Sequence, residues 1–147
     1  MKARDLMTSP VLTLPPESTL AEAAALMLAN GVSALPVVDE GKMVGILSHS
    51  DYTPQRQAYP TANDLFSVLG ELVATVNLEA VVKTVRMKQV KDVMKTHVVT
   101  IDEHAEAGEV AETMIRQHVH RLPVMRAKKM VGIISRHDLL KLIVQDA

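Results

Sequence analysis

VSALPVVDEGKMVGILSHSD, residues 32–51, recurs 87 residues later as VHRLPVMRAKKMVGIISRHD, residues 119–138. Extended back to Arg4 and Lys91, the alignment spans 48 positions without a gap, and 18 of them are identical. An internal repeat of this length is typical of two copies of one supersecondary unit that pack together. We call residues 4–51 the first copy and residues 91–138 the second copy. The repeat predicts one small molecule with two related halves.

Composition excludes several classes of protein. Of the 147 residues, 48% are hydrophobic but only 2% are aromatic, which predicts one compact molecule with an aliphatic, methionine-rich core. The absence of cysteine excludes disulfides and thiolate chemistry and, with no signal-peptide pattern, favours a cytoplasmic location. No apolar run approaches the roughly 20 residues of a membrane span. A net charge of −1 argues against nucleic-acid binding.

Charge is distributed unevenly along the chain. Residues 1–82 carry 4 Lys/Arg and 9 Asp/Glu, a balance of −5, whereas residues 83–147 carry 12 and 8, a balance of +4. One interpretation is a chance distribution of solvated charges. The other is that the second half supplies positive potential to an anionic ligand.

Each copy reads as strand, helix, strand, strand, helix. Ser18 is the candidate N-cap of the first helix, and Asp39-Glu40-Gly41 is a hairpin signal that Ala127-Lys128-Lys129 repeats without the glycine. The predicted strands are 11–14, 35–38, 43–47, 98–101, 122–125 and 130–134, and the predicted helices are 20–30, about 105–118, and from Ser135 to about Val144. The predicted buried helix positions are Leu20, Ala24, Met27, Leu28, Val110, Met114 and Ile115.

The predicted fold class is therefore α/β (α+β), with two βαββα repeats packed about a pseudo-twofold axis as short three-stranded sheets flanked by helices. One repeat exposes apolar faces that it cannot cover alone, so the two are expected to cover each other. The predicted boundaries are 1–55 for the first repeat, 56–90 for a connecting segment and 91–147 for the second repeat. Within the connecting segment, Asn63 is a candidate cap, and helical periodicity covers 65–76 and 78–85.

The strongest local signature is Gly45-Ile46-Leu47-Ser48-His49-Ser50-Asp51, which the second copy repeats as Gly132-Ile133-Ile134-Ser135-Arg136-His137-Asp138. On a structural interpretation, Ser-x-x-Asp is a capping box that closes unsatisfied N–H groups at a helix start. On a functional interpretation, the helix start attracts an anion, and the Asp accepts hydrogen bonds from ribose hydroxyls. Two complete occurrences favour a nucleoside site.

These paired elements, with the Leu-Pro-Val strand that precedes each, resemble cystathionine-beta-synthase (CBS) domains, two of which form a Bateman module. The resemblance covers residues 4–55 and 91–142. The segments Val32–Val37 and His120–Val124 also resemble parts of the regulatory gamma subunit of the AMP-activated kinase, where such segments line adenine-nucleotide sites. The resemblance implies two clefts between the repeats.

The resemblance also implies which residues line each cleft. One cleft would hold ribose and α-phosphate with Ser135 and Asp138, and the other with Ser48 and Asp51. In the kinase subunit the His and Arg of this segment contact phosphates, so His120 and Arg121 are candidates. The first copy departs from the pattern, because Ser33-Ala34 stands at the aligned positions, so the Asp138 cleft is expected to be the better anion site. The expected lining of the Asp138 cleft is Thr8–Val11 and Val32, and that of the Asp51 cleft is Lys95–Val98 and Val119. The residues expected to contact the nucleotide also include Ser33, Val11, Val98, Ile46 and Ile133.

The predicted function is a non-catalytic regulatory module that binds an adenine nucleotide and signals by conformational change. AMP or ATP is the expected ligand, NAD and S-adenosylmethionine satisfy the same aspartate, and no cofactor is required. The resemblance implies a homodimer and an unidentified regulated partner. The alternative is a dimerisation or protein-interaction module without a ligand. No catalytic constellation is visible, and five histidines lack metal-ligand spacing, so neither an enzyme nor a metal site is predicted: His97, His104, His118, His120 and His137.

Overall fold

The computed structural model of the chain describes residues 1–52 and 78–145. The predicted connecting helix at 65–76 and the candidate cap Asn63 lie outside these residues. The α-helices are α1 (Ala3–Leu6), α2 (Leu20–Asn30), α3 (Leu78–Arg86), α4 (Ala107–Gln117) and α5 (Leu140–Gln145). The strands are β1 (Ala34–Asp39), β2 (Lys42–Ser48), β3 (Ile101–Asp102), β4 (Arg121–Arg126) and β5 (Lys129–Ser135), and 3₁₀ helices span His49–Tyr52, Val90–Asp92 and Arg136–Leu139.

The strands form one short sheet in each copy. In the second copy the order is β3-β4-β5, with β3 parallel and β5 antiparallel to β4, and Arg121 lies opposite Ser135. In the first copy β1 pairs with β2, and Leu14 forms a single parallel bridge to Val37 where the second copy has β3. The mixed α+β architecture with short sheets and flanking helices agrees with the predicted class.

Two residues form the tight turn of each hairpin, as predicted. In the β1–β2 turn, Glu40 and Gly41 have φ of 48° and 79°. In the β4–β5 turn, Ala127 and Lys128 adopt the same left-handed conformation, with φ of 46° and 70°. A two-residue hairpin turn favours positive φ at both of its residues, because the twist of such a turn matches the twist of the two strands. The hairpin therefore survives the loss of glycine in the second copy, with two non-glycine residues in a disfavoured conformation.

Several local predictions were wrong. No strand forms over 11–14 beyond the Leu14 bridge, and β3 keeps only the last residue of 98–101. The N-cap of α2 is Thr19, whose hydroxyl accepts from the Glu22 N–H at 3.1 Å, rather than Ser18. Leu28 and Ile115, which occupy aligned positions, are 86% and 71% exposed rather than buried. The helical periodicity of apolar residues predicted a wider buried face on α2 and α4 than either helix has, because Leu28 and Ile115 lie outside the buried face.

The chain divides into two compact units that cut across the order of the copies. Among the described residues, the first-copy unit comprises 13–40, 44–52 and 78–96, and the second-copy unit comprises 1–12, 41–43 and 97–145. The N-terminal segment of each copy thus belongs to the unit of the other copy. Ala3 and Leu6 are fully buried in the core of the second-copy unit, with Ile101, Val110, Met114, Leu122, Val124 and Ile134. Val90 is fully buried in the core of the first-copy unit, with Leu14, Leu20, Ala23, Met27, Leu35, Val37 and Leu47.

Candidate functional site

The Asp51 element lies at the carboxyl end of β2. Asp51 is 8% exposed, and its Oδ2 accepts hydrogen bonds from the backbone N–H of Ser48 at 2.8 Å and from the Ser48 hydroxyl at 3.3 Å. The Ser48 and Ser50 hydroxyls lie 2.7 Å apart. This is the hydrogen-bond pattern of a capped helix start, which the structural interpretation of the sequence predicted. It uses one oxygen of the carboxylate.

The Asp138 element repeats that geometry at the end of β5. Oδ2 of Asp138 accepts from the backbone N–H of Ser135 at 2.8 Å and from the Ser135 hydroxyl at 3.2 Å. The first residue of the following 3₁₀ helix, Arg136, donates its backbone N–H to the carbonyl of His120 at 3.1 Å. The same link joins His49 to Ser33 in the first copy at 3.0 Å. Each element is therefore held by its own strand pair in the same way.

The structure brings most of the predicted phosphate contacts to the Asp138 element. Arg121 begins β4 and lies opposite Ser135 in the β4–β5 register, and His120 precedes it. Arg121 is half-buried, and burial lowers the pKa of its guanidinium, which nevertheless stays protonated at neutral pH. Partial desolvation strengthens the attraction of such a cation for an anion. At the aligned positions of the first copy, Ser33 is half-buried and Ala34 is buried.

The exchanged N-terminal segments lie beside the two elements. Thr8 pairs with Ile133 in the second-copy unit, and Lys95 pairs with Ile46 in the first-copy unit, each pair sharing two backbone hydrogen bonds of 2.9–3.1 Å. The Ser9 hydroxyl also donates to the carbonyl of Val131 at 2.9 Å. Thr8 thus lies beside the strand that leads to Asp138, and Lys95 beside the strand that leads to Asp51; their roles in lining a ligand stay predictions.

The remaining predicted lining residues divide between the units. Val11 belongs to the second-copy unit with Asp138. Val32, which was predicted to line the Asp138 cleft, belongs to the first-copy unit. Val98 and Val119, which were predicted to line the Asp51 cleft, belong to the second-copy unit. Their roles, like those of Ile46 and Ile133, stay predictions.

A lysine faces the second oxygen of each aspartate, which sequence reasoning missed. Nζ of Lys95 lies 3.7 Å from Oδ1 of Asp51, and Nζ of Lys141 lies 3.1 Å from Oδ1 of Asp138. Lys141 also donates to the carbonyl of Leu6 at 2.7 Å, which ties α5 to α1. The copies carry no common signal for these contacts, because Thr8 is aligned with Lys95, and Pro54 with Lys141. The i, i+3 spacing of Asp138 and Lys141 was the available clue.

Tyr52 adds a polar contact behind the Asp51 element. Its hydroxyl donates to the carbonyl of Leu20 at 2.9 Å. Burial, and next the charge of Asp51, raise the pKa of Tyr52 to about 12. The phenol therefore stays neutral and fixes the end of the 3₁₀ helix to the start of α2.

Among the described residues, 1–52 and 78–145, no group of three or more His, Asp or Glu side chains is placed to hold a metal ion. Within the same residues, no helix is long and apolar enough to cross a membrane.

The chain thus has two Ser-x-x-Asp elements, and each follows a short antiparallel strand pair. A family of known proteins that shares this chain's fold must show the same two elements. The sequence profile of the CBS domain matches twice, at residues 3–53 and 90–145. The chain belongs to the CBS-domain family. It is a tandem CBS pair, a regulatory type of module, and the family expected from the repeat is confirmed.

Proteins of several kinds contain a segment similar to this CBS pair. Inosine-5'-monophosphate dehydrogenase of Methanocaldococcus jannaschii is 33% identical over 144 residues, covering 95% of this chain and 23% of that enzyme. The first curated relatives are matched over 13–45% of their own lengths, so the chain spans less than half of each. The match to the dehydrogenase covers its CBS part, and this likeness does not carry over the enzyme's activity.

Solved structures confirm the fold. The CBS domain of a CBS domain-containing membrane protein from Sphaerobacter thermophilus is 32% identical, with a TM-score of 0.73 over 97% of this chain and 87% of that one. The CBS pair of protein MJ0100, solved with 5'-methylthioadenosine and S-adenosyl-L-methionine, has a TM-score of 0.71 over 100% and 98% of the two chains. At 22% identity the second likeness shows the fold alone.

Proposed function

We propose that this CBS pair binds an adenosyl ligand at its Ser-x-x-Asp elements and regulates a partner protein through the change that binding causes. AMP or ATP is the proposed ligand of the Asp138 element. The observation that carries the proposal is that Asp138 caps its helix with Oδ2 and directs Oδ1 to Lys141, next to the strand that begins with Arg121. One oxygen is thus committed to the fold, and the other faces a flexible side chain that a ribose hydroxyl can displace.

The surrounding charges support a phosphate beside that ribose. Arg121 is the first residue of β4, and His120 comes just before it. Arg136, whose side chain is exposed, is the first residue of the 3₁₀ helix. Charge-assisted hydrogen bonds from the guanidinium groups of Arg121 and Arg136 to phosphate oxygens are roughly twice as strong as neutral ones. A relative of the same fold, MJ0100, was crystallised with two adenosyl ligands, which makes this ligand class the first to test.

Calorimetric titration of the chain with AMP, ATP, NAD and S-adenosylmethionine tests the proposal. Loss of one charge-assisted hydrogen bond costs roughly 1.5–3 kcal/mol, so Asp138→Ala is expected to weaken nucleotide binding by about 10- to 100-fold. The matched control is Asp5→Ala in the same unit. Oδ2 of Asp5 accepts from the backbone N–H of Lys2 at 2.7 Å, so this variant removes a similar cap away from the element.

If Asp138→Ala and Asp5→Ala leave affinity equally unchanged, the aspartate does not bind ribose, and its role is confined to capping. If the wild type binds none of the four ligands, the alternative function stands, a homodimerisation or protein-interaction module. Exposed apolar side chains favour that alternative, among them Leu28, Ile115, Ile143 and Val144. We propose a homodimer in either case, and sedimentation velocity with Ile115→Glu and Leu28→Glu tests whether these helices form the interface.

A further inference from the structure

We infer that the two Ser-x-x-Asp elements select ligands of different charge: the Asp138 element a phosphorylated adenosine, and the Asp51 element an adenosyl ligand without a phosphate. The inference rests on the proposed function and adds a specificity to each copy. It is carried by side chains that differ between two elements with the same backbone arrangement.

Four positions lie next to the Ser and Asp that both copies share, and at each of the four the second copy has the more basic residue. Ser33 and Ala34 of the first copy are replaced by His120 and Arg121 at the start of the strand. His49 and Ser50 are replaced by Arg136 and His137 between the Ser and the Asp. The intervening Leu-Pro-Val of the strand and the Gly-Ile before the Ser are identical in both copies. The copies therefore keep the element and differ in the charge around it.

Backbone geometry places these four positions together in each unit. In the first copy the carbonyl of Ser33 accepts from the backbone N–H of His49 at 3.0 Å. In the second copy the carbonyl of His120 accepts from the backbone N–H of Arg136 at 3.1 Å. Arg121 also lies opposite Ser135 across the β4–β5 pair. A substitution at any of the four positions thus changes the same small region next to the aspartate.

The lysines do not remove the difference. Each aspartate faces one lysine, Lys95 at 3.7 Å and Lys141 at 3.1 Å, so the formal charges of each pair cancel. Beyond these pairs, the second copy carries Arg121 and Arg136 where the first copy carries Ala34 and His49. In the first copy the Ser48 hydroxyl donates to Asp51 at 3.3 Å and lies 2.7 Å from the Ser50 hydroxyl.

A phosphate requires compensating cations when it is brought close to a carboxylate. At the Asp138 element, the two arginines supply them. At the Asp51 element, a phosphate would compete with Asp51 for Lys95, and repulsion from the carboxylate would offset what the lysine contributes. Serine hydroxyls can hydrogen-bond a ribose or an uncharged 5' substituent without this cost. The same ribose contact therefore suits a nucleotide in one copy and a nucleoside in the other.

Adenosine and AMP are the matched probes, because they differ only by the phosphate. We expect calorimetry of the full chain to show both probes binding at once, with Asp138→Ala weakening AMP binding and Asp51→Ala weakening adenosine binding, each by about 10- to 100-fold. Each alanine variant has a control aspartate in its own unit that makes a similar cap: Asp5→Ala for Asp138, and Asp92→Ala for Asp51, since Asp92 accepts from the backbone N–H of Gln89 at 3.2 Å.

Charge-exchange variants test the cause of the selection. The double variant His120→Ser/Arg121→Ala gives the second copy the residues of the first, and we expect about 10- to 100-fold weaker AMP binding with adenosine binding unchanged. Arg136→His makes the corresponding exchange at an exposed position, so it reports on charge even if the double variant folds poorly. Arg121→Lys keeps the charge and should retain most of the affinity.

Three results would overturn the inference. AMP and adenosine could compete for a single element, AMP binding could be lost in Asp51→Ala but not in Asp138→Ala, or the charge exchanges could leave the preference for AMP unchanged. The first and third would leave the proposed function standing, because an adenosyl ligand would still bind. The second would also overturn the assignment of AMP to the Asp138 element, although an adenosyl ligand would still bind the chain. If neither probe nor any other adenosyl ligand binds the wild type, the proposed function and the inference fail together.

Discussion

Gly45 lies directly against the backbone of Lys95. A Cβ atom on Gly45 would stand 2.7 Å from the carbonyl oxygen of Lys95 and 2.7 Å from Sδ of Met94. At the aligned position, a Cβ on Gly132 would overlap the Met7 side chain. The two glycines therefore allow the exchanged N-terminal segments to approach the strands that lead to Asp51 and Asp138.

The two contacts differ in how they can relax, which yields a prediction. Gly45→Ala meets a backbone atom that cannot move alone, and we expect it to lower the free energy of unfolding by about 1–3 kcal/mol. Gly132→Ala meets the side chain of Met7, whose Sδ and Cγ can turn away although its Cβ, at 2.9 Å, cannot, and it should cost less. Chemical denaturation of both variants measures the difference.

A double-mutant cycle provides the control for these glycines. Met7→Ala should offset part of the cost of Gly132→Ala, because it removes the Sδ and Cγ atoms that the new Cβ meets, while the Cβ of residue 7 remains at 2.9 Å. Met94→Ala should offset less of the cost of Gly45→Ala, because the Lys95 carbonyl remains. Equal coupling in the two pairs would show that the backbone contact is unimportant.

The helix ends provide a second prediction. Gly31 caps the C-terminal end of α2 with φ of 62°, and the aligned residue His118 caps the end of α4 with φ of 53°. Only glycine adopts this conformation without steric cost. We expect His118→Gly to raise the free energy of unfolding by about 1 kcal/mol. Gly31→His, the reverse exchange, should lower it by a similar amount, and a stabilising effect there would contradict the argument.

Tyr52 provides a pH-dependent prediction. Burial, and next the charge of Asp51, raise the pKa of its phenol from the ordinary 10.0 to about 12, so the fold favours the neutral form. Its stabilising contribution is complete below pH 10 and is lost as the pH rises from about 10 to about 12. Tyr52→Phe should lower stability at pH 7 by about 1 kcal/mol, the contribution of one neutral hydrogen bond.

Absorbance titration checks the assignment to Tyr52. The chain has two tyrosines, so Tyr59→Phe leaves only Tyr52 to be followed. An ordinary phenol pKa in that variant would contradict the raised value. A loss of stability in Tyr52→Phe that is equal at pH 7 and above pH 12 would show that the hydroxyl is not its source.

The ion pair between Glu103 and Arg126 provides an acid-side prediction. Nε and Nη2 of Arg126 donate to the two carboxylate oxygens of the buried Glu103 at 2.7 and 2.8 Å. The hydrogen bond from Arg126 lowers the pKa of Glu103 below 4.5, and nearby His104 and Arg4 act in the same direction. The stabilisation is therefore present above pH 4.5 and is lost as the pH falls through the lower folded pKa.

Thermal melts of the wild type and Arg126→Leu test this ion pair. We expect the variant to melt at a lower temperature at pH 7, and the difference to shrink as Glu103 becomes protonated below pH 4.5. Glu103→Gln should reduce the same pH dependence. A melting difference that persists unchanged at pH 3 would assign the effect to packing of the Arg126 stem.

Local patterns predicted much of this fold. α2 begins and ends at the predicted residues, Leu20 and Asn30, and both hairpins form where an alternation of apolar runs and a short turn predicted them. Both Ser-x-x-Asp elements adopt the predicted cap. The strand at 11–14 failed, because β-branched residues indicate extended backbone but do not supply a neighbour with which to pair. Leu28 and Ile115 failed because periodicity identifies a stripe and leaves its buried width to the packing.

The sequence by itself determined the repeat, and also the two hairpins, the two Ser-x-x-Asp caps and the pair of aspartates, because each of these local features depends on residues within a few positions of one another. Tertiary structure decided that residues 1–12 join the second copy and that the segment through Thr96 joins the first. It also decided that Lys95 and Lys141 face the two aspartates. The physical reason is that the copies are alike: either N-terminal segment offers the same Asp, Met and apolar positions to either sheet, so local sequence does not distinguish the two pairings, and the folded chain selects one.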